Sequence, residues 1–193
     1  MTTWFTADTH FGHAAIIGYA SRPFASVEEM DETMIANWNA AVAPGDVVWH
    51  LGDFCYRAAS DPAHYRSRLN GHIRLIIGNH DTQTVKHFAH LFESVDDFRE
   101  IESEQQRLFL CHYPMREWPG AWRGAWHLYG HVHGRLDHEP HGMSLDVGVD
   151  SHGYRPVRLA QIRARLDGRN DPFAGTRDSR RDPSGGSDGG STG

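Results

Sequence analysis

Residue types that bind metal ions are concentrated in five short blocks along the 193-residue chain. The candidate ligands in these blocks are two aspartates, one asparagine and four histidines: Asp8, His10, Asp53, Asn79, His112, His131 and His133. Carboxylate, amide and imidazole donors in this mixture suit divalent transition metals. Seven donors are too many for one tetrahedral ion, but they suffice for two ions if Asp53 bridges both. Two ions about 3.5 to 4 Å apart would form a clamp for in-line displacement at phosphorus.

These donors need strands to position them. Short apolar runs that are rich in β-branched or aromatic residues and bounded by turn residues predict strands at 3–6, 47–51, 73–77, 108–111 and 126–129. Each ligand block follows the carboxyl end of a predicted strand, and open α/β sheets form their ligand crevices at that end. The five blocks can therefore converge on one site.

Helices and further strands are predicted between and after these runs. Ser26 and Glu29 form a capping box that opens a helix, and the helix is predicted to bury a stripe of four residues: Met30, Met34, Trp38 and Val42. Caps, stop residues and periodicity predict further helices at 13–20, 62–69, 83–91 and 160–166, and strands at 144–149 and 156–159.

The ligand blocks, taken in order, resemble the signature of the calcineurin-like metallophosphoesterase superfamily. The matching segments are Asp8-Thr-His10, Gly52-Asp53, Gly78-Asn79-His80-Asp81, His112 and Gly130-His131-Val132-His133, and the resemblance extends over roughly residues 3–160. The segments 8–13, 22–24, 147–150 and 154–157 resemble a narrower group of small, single-domain bacterial and phage phosphoesterases.

The resemblance implies an α/β fold, a four-layer α/β/β/α sandwich of two mixed β-sheets with a dinuclear site at one edge. It assigns two sets of ligands that share Asp53: the first is Asp8, His10, Asp53 and His133, and the second is Asp53, Asn79, His112 and His131. It also implies that His80 faces the phosphate as the acid that protonates the leaving group. Asp81, the next residue, is predicted to be the carboxylate partner of His80.

The predicted function is metal-dependent hydrolysis of a phosphodiester or phosphomonoester bond by metal-activated hydroxide, on a small nucleotide-type phosphate ester. The predicted cofactors are two divalent transition metal ions, with manganese favoured and iron, zinc, cobalt or nickel as alternatives. Two other functions stay open: a nuclease acting on RNA or DNA ends, and a non-catalytic binding scaffold of the same fold. The complete ligand set and the presence of His80 argue against the scaffold.

Four residues near the ligand blocks are candidates for substrate binding: His13, Arg22, Arg57 and Tyr113. His13 follows His10 by three residues in a glycine-containing loop, and an arginine can contact two phosphate oxygens at once. The competing interpretations are helix capping or solvation for the histidine and ordinary salt bridging for the arginines.

Composition predicts one catalytic domain, residues 1–166, and a disordered tail rich in Gly, Ser, Asp and Arg, residues 167–193. The net charge of −6 argues against a dedicated nucleic-acid binder, so nucleic acid is expected as a substrate only. The chain contains neither a membrane-length apolar run nor a signal segment, which favours the cytoplasm with no membrane partner. Cys55 and Cys111 are predicted to be free, structural thiols, and the sequence leaves the oligomeric state open.

Overall fold

The computed structural model describes residues 1–56 and 61–174, which form two mixed β-sheets. The first sheet contains five strands: β1 (Thr3–Thr6), β2 (Val47–His50), β3 (His72–Ile76), β4 (Ser94–Asp96) and β9 (Val157–Arg158). Their order is β4-β3-β2-β1-β9, and every pair is parallel except β1 with β9. The carboxyl ends of β1, β2 and β3 therefore meet at one edge.

The second sheet contains β5 (Phe98–Ser103), β6 (Gln106–Cys111), β7 (Trp126–Tyr129) and β8 (Ser144–Asp146), in that order. β5 and β6 are antiparallel, whereas β6, β7 and β8 are parallel. Both sheets are mixed, as the resemblance implied.

Five α-helices complete the described part of the chain: α1 (Ala14–Tyr19), α2 (Val27–Ala41), α3 (Pro62–Arg66), α4 (Thr82–Phe88) and α5 (Leu159–Leu166). Short 3₁₀ helices lie at Ala89–Leu91, Ala121–Arg123 and Val149–Ser151. The backbone N–H of Glu29 donates to Ser26 Oγ at 3.2 Å at the start of α2, which confirms Ser26 as the cap. The Glu29 carboxylate accepts from the backbone N–H of Ala25 at 2.7 Å, so the reciprocal bond of the predicted capping box does not form. None of the described helices is long and apolar enough to cross a membrane.

The core has one layer between the sheets and one under the helices. Between the sheets, Phe5 and Ile76 of the first sheet pack in one cluster with Leu110 and Leu128 of the second. On the other face of the first sheet, the predicted stripe of α2 is buried with Val48, Ile73 and Leu75 of that sheet. Burial of these apolar faces fixes the two sheets face to face. Both cysteines are buried and free, as predicted.

Two strands were not predicted from the sequence. β4 and β5 lie at the edges of their sheets, and β5 is mostly exposed. The segment that forms them mixes charged and apolar residues without strict alternation, because an edge strand packs fewer side chains. β4 forms by pairing with β3, and β5 forms by pairing with β6. The sequence alone does not show these pairings.

The outer face of the second sheet is covered by the Ala121–Arg123 helix and by the segment after α5. Phe173 is buried there against Trp118 and Trp122, with ring centroids 5.3 and 5.0 Å apart. Arg169 also donates to the Ser144 carbonyl at 2.6 Å. Arg169 and Phe173, which the sequence assigned to the tail, therefore contact the domain, and residues 175–193 of the predicted tail lie outside the described residues.

Candidate metal centre

Six of the seven predicted ligands lie in two clusters at the carboxyl ends of the strands. One cluster is Asp8, His10 and His133, and the other is Asp53, His112 and His131; within each, the donor atoms lie within 4.8 Å of one another. These residues come from the loops after β1, β2, β6 and β7. The structure therefore brings together ligand blocks that are up to 125 residues apart in the sequence.

Asp53 lies between the two clusters. Its Oδ2 atom is 3.4 Å from His10 Nε2 in the first cluster and 3.5 Å from His112 Nε2 in the second. Asn79, the seventh predicted ligand, places its Oδ1 atom 3.1 Å from the same His112 nitrogen. Asp53 is thus in the position that a bridging carboxylate requires, and Asn79 is beside the second cluster.

Hydrogen bonds at the outer ring nitrogens orient two of the histidines. His112 Nδ1 lies 2.7 Å from the Leu51 carbonyl, and His133 Nδ1 lies 2.8 Å from Asp150 Oδ2. Since a carbonyl or carboxylate oxygen only accepts, each Nδ1 carries a proton, and Nε2 is the ring nitrogen that can bind a metal ion, the arrangement usual for metal-binding histidines. The buried Nε2 of His10 has no hydrogen-bond partner among the described residues, as fits a nitrogen that binds a metal ion.

The backbone is strained at the ligands. Asp8, His10, Asp53, His131 and His133 all have positive φ, between 49° and 71°, and they make up five of the nine such non-glycine residues in the described chain. Each left-handed residue of this kind destabilises the fold by about 1 kcal/mol or more. The strained backbone directs the ligand side chains toward one another, and strain of this kind is typical of a functional site.

Two glycines allow the ligand loops to approach one another closely. A Cβ atom at Gly130 would lie 2.5 Å from Asp8 Oδ2, and one at Gly78 would lie 2.5 Å from the backbone nitrogen of Asp53. Neither distance leaves room for a side chain. Gly130 is therefore required where the loop after β7 contacts the loop after β1, and Gly78 is required where the loops after β3 and β2 meet.

The electrostatics of the site favour cations. Burial, together with the charges of Asp146 and Asp53, raises the pKa of Asp8 well above its ordinary value. Burial and then the neighbouring His133 lower the pKa of His10 well below 6.5, so its imidazole is neutral. Buried carboxylates beside neutral imidazoles form a donor set that divalent cations complete. The residues present therefore fit a two-metal site.

A sequence profile described as calcineurin-like phosphoesterase matches residues 1–179. The chain belongs to the calcineurin-like phosphoesterase family. Membership in this family supports metal-dependent hydrolysis of a phosphate ester, and it agrees with the ligand clusters found above.

Two relatives match this chain in sequence, and one solved structure shares its fold. The chain is 37% identical over 165 residues to the uncharacterized protein MJ1445 of Methanocaldococcus jannaschii, a match that covers 82% of this chain and 88% of the relative. It is also 38% identical over 82 residues to the gene 66 protein of Mycobacterium phage L5, covering 41% of this chain and 39% of that protein. The structure of the protein of unknown function AQ665 from Aquifex aeolicus superimposes with a TM-score of 0.67 at 23% identity, covering 84% of this chain and 98% of that one.

In this family member, Asp81 does not pair with His80 as the sequence analysis expected. The Asp81 carboxylate is fully buried and accepts three backbone N–H groups: Asp53 at 2.7 Å, Phe54 at 3.0 Å and Gly78 at 2.9 Å. Burial raises the pKa of Asp81 to about 7 despite these bonds. Its observed role is to join the loops that follow β2 and β3, which carry Asp53 and Asn79.

Arg22 is also used differently from the prediction. Its side chain is fully buried and donates to both oxygens of Asp150, at 2.8 and 2.9 Å. It also donates to the carbonyls of Asp8 at 2.7 Å and Thr9 at 3.1 Å. The fifth N–H of the guanidinium donates to Met30 Sδ at 3.4 Å. No donor is left to reach a substrate, so the prediction of phosphate binding by Arg22 is corrected to positioning of the ligand loops.

Asp150 contacts a ligand residue but was not among the predicted site residues. It accepts hydrogen bonds from Arg22 and lies against His133, and thereby joins the segment between α1 and α2 to the loop after β7. Burial raises the pKa of Asp150, but the hydrogen bonds from His133 and Arg22 outweigh it, so the net pKa lies below the ordinary value. The sequence held one indication of the contact between Arg22 and Asp150: segments 22–24 and 147–150 both resemble motifs of the small, single-domain bacterial and phage phosphoesterases.

The other predicted substrate-binding residues have different surroundings. His13 is buried, stacks on Tyr56 with ring centroids 3.5 Å apart, and places its Nδ1 atom 3.4 Å from His10 Nδ1. Tyr113 is 44% exposed, and its ring lies 4.9 Å from those of His112 and His131. Substrate contact by these two residues stays a prediction, and Arg57 lies outside the described residues.

A cavity of about 270 Å³ opens onto the two clusters. His80 lines it, and its ring centroid lies 5.3 Å from that of His10. Four lining residues had not been predicted from the sequence: Ile16, Tyr19, Tyr56 and Arg135. Side chains of these types are common on any protein surface, and only their convergence on the metal centre distinguishes them.

Proposed function

We propose that the chain is a dinuclear metal-dependent phosphodiesterase for small nucleotide-type phosphate esters, with manganese as the favoured metal. The observation that carries the proposal is the position of Asp53 Oδ2, within 3.5 Å of a histidine nitrogen in each of the two ligand clusters. A single carboxylate oxygen shared by two donor sets suits two adjacent cations. The cavity of about 270 Å³ suits a small substrate better than a polymer.

The chain's own residues divide the work of binding the cations. Asp8, His10 and His133 would hold one ion, His131, His112 and Asn79 the other, and Asp53 both. When bound, the cations supply Lewis acidity to water and to the phosphoryl oxygens. The Leu51 carbonyl and Asp150 hold His112 and His133 in the tautomer that a ligand needs.

His80 is proposed as the group that transfers a proton to the leaving oxygen. Its side chain lines the cavity, and its backbone N–H donates to Asp53 Oδ1 at 2.8 Å. That bond fixes the backbone of His80 relative to the bridging carboxylate. Proton transfer by a positioned side chain contributes about 10²- to 10⁴-fold to a rate.

Metal content tests the shared carboxylate. The metal-free protein would be reloaded with manganese, and the bound metal would be counted by mass spectrometry together with electron paramagnetic resonance of the coupled ions. We expect two manganese ions per chain and a loss of the coupled spectrum in Asp53→Asn, because both ions lose their common ligand. Two fully occupied, coupled ions in Asp53→Asn would refute the bridging role.

Turnover tests the reaction class and the role of His80. The manganese-loaded protein would be assayed with bis(p-nitrophenyl) phosphate and p-nitrophenyl phosphate, and we expect a higher kcat/KM for the diester. His80→Gln should lower kcat by about 10²-fold or more while two manganese ions stay bound. The matched control is His87→Gln, which changes an exposed histidine on α4. Equal turnover of His80→Gln and the control would exclude proton transfer by His80.

A further inference from the structure

The cavity beside the metal centre has two unlike walls. Ile16 and Tyr19 of α1, together with Tyr56 and His13, form an apolar and aromatic wall that belongs to loops of the first sheet. Arg135 comes from the loop after β7, in the second sheet. Five of the seven proposed ligands line the same cavity: His10, Asp53, Asn79, His131 and His133. A molecule whose phosphate reaches the ligand clusters therefore has an aromatic surface and a cation within reach.

Tyr19 is an aromatic side chain that the fold does not bury. It is the last residue of α1 and is 81% exposed, while its ring lies 6.4 Å from that of His13 in the cavity. An exposed ring at the mouth of a polar site offers an apolar face for stacking at little conformational cost. Base stacking on such rings is a common mode of nucleotide recognition that tolerates different bases.

Arg135 has no carboxylate within ion-pair distance among the described residues, whereas Arg22, Arg68 and Arg74 each have one. It lies two residues after His133 and lines the same cavity as His131 and His133. A guanidinium without a partner at a cavity that receives a phosphate ester is placed to bind a second anion, since its planar donors match phosphate oxygens.

From these observations, and resting on the proposed function, we infer that the cavity is a nucleotide subsite. Tyr19 packs against the nucleobase, and Arg135 binds a phosphate group other than the one that is hydrolysed. The substrate class is then a nucleoside phosphodiester that carries at least one further phosphate. The volume of about 270 Å³ leaves room for one nucleotide rather than for a longer strand.

Three chromogenic diesters with the same leaving group separate the contribution of the nucleobase from that of the second phosphate. They are methyl p-nitrophenyl phosphate, thymidine 5′-(p-nitrophenyl phosphate), and the latter compound with an added 3′-phosphate. We expect kcat/KM of the manganese-loaded protein to rise about tenfold from the first to the second, because the base stacks, and about tenfold again to the third. Equal values for all three substrates would overturn the subsite.

Matched variants assign each step to a residue. Tyr19→Ala should remove the step between the methyl and thymidine esters, and Tyr19→Phe, which keeps the ring, should retain it. Arg135→Gln should remove the step produced by the 3′-phosphate. Arg123→Gln, a change of another exposed arginine, should retain that step. If Tyr19→Ala and Arg135→Gln lower all three values in proportion, the residues have a general role and the inference is wrong.

A binding measurement separates this inference from the proposed function. Titration calorimetry on the manganese-loaded protein would compare thymidine 3′,5′-bisphosphate with thymidine 5′-phosphate. The subsite predicts about tenfold tighter binding of the bisphosphate, lost in Arg135→Gln, even if none of the three esters is hydrolysed. Tighter binding of the bisphosphate without turnover of any ester would refute the proposed function and support the subsite. Turnover with equal binding of both nucleotides would support the proposed function and refute the subsite.

Discussion

Replacing Asp150 by asparagine should weaken metal binding although Asp150 is not a proposed ligand. The substitution keeps the volume of the side chain and removes its charge. The asparagine oxygen can still accept from Arg22, but its amide group cannot accept the proton of His133 Nδ1, which now lies 2.8 Å from Asp150 Oδ2. His133 thus loses the partner that fixes its tautomer and orientation.

The substitution should lower both the metal affinity and the free energy of unfolding, because Asp150 contacts both the ligand His133 and the buried Arg22. Loss of an outer hydrogen-bond partner of a metal-binding histidine typically weakens metal affinity by 10- to 100-fold, or about 1.4 to 2.7 kcal/mol. The side chain of Arg22 is 0% exposed and that of Asp150 is 7% exposed. Breaking a buried pair destabilises a protein by about 3 to 5 kcal/mol, and the hydrogen bond that asparagine retains places the expected loss near about 3 kcal/mol.

Two measurements check these values. Manganese affinity would be measured by competition with a fluorescent chelator, and the free energy of unfolding of the metal-free protein by urea denaturation. Glu32→Gln is the matched control, because Glu32 also accepts two hydrogen bonds from one arginine but is 61% exposed and distant in sequence from the ligands. The control should change stability by less than about 1 kcal/mol. A folded Asp150→Asn protein with wild-type manganese affinity would refute the positioning role.

Three further predictions concern stability, close packing and thiol reactivity. Burial lowers the pKa of His127 to about 4 from 6.5. Between these values the unfolded chain binds more protons at His127, so the contribution of His127 to the free energy of unfolding should fall by up to about 3 kcal/mol as the pH drops from 6.5 to 4. The difference in free energy of unfolding between the wild type and His127→Gln, measured by urea denaturation against pH, would show this, and a difference that does not change with pH would contradict it. Gly130→Ala should displace the Asp8 carboxylate and halve the manganese content, while Gly45→Ala, which meets nothing within 4 Å, should not. Burial raises the pKa of both cysteine thiols, so a disulfide reagent should modify them only when urea unfolds the chain, and rapid reaction of the native protein would exclude this burial.

The ligand blocks and the strands before them were predictable because each signal is local. A short apolar run ends in turn residues, and the donor follows directly, so β1, β2 and β3 and the ligands Asp8, His10 and Asp53 could be located without the structure. The stripe of α2 and its cap are local in the same way. The edge strands β4 and β5 were missed because their side chains carry little pattern of their own.

The sequence by itself determined the donor types, their order and the family. Only the tertiary structure decided how the surrounding charges are used. Arg22 and Asp150 are 128 residues apart and pair in the interior; Asp81 turns away from the adjacent His80 to three backbone amides. The physical reason is that a buried charge must find a partner in three dimensions. Proximity in sequence does not reveal which partner the packed sheets bring within reach.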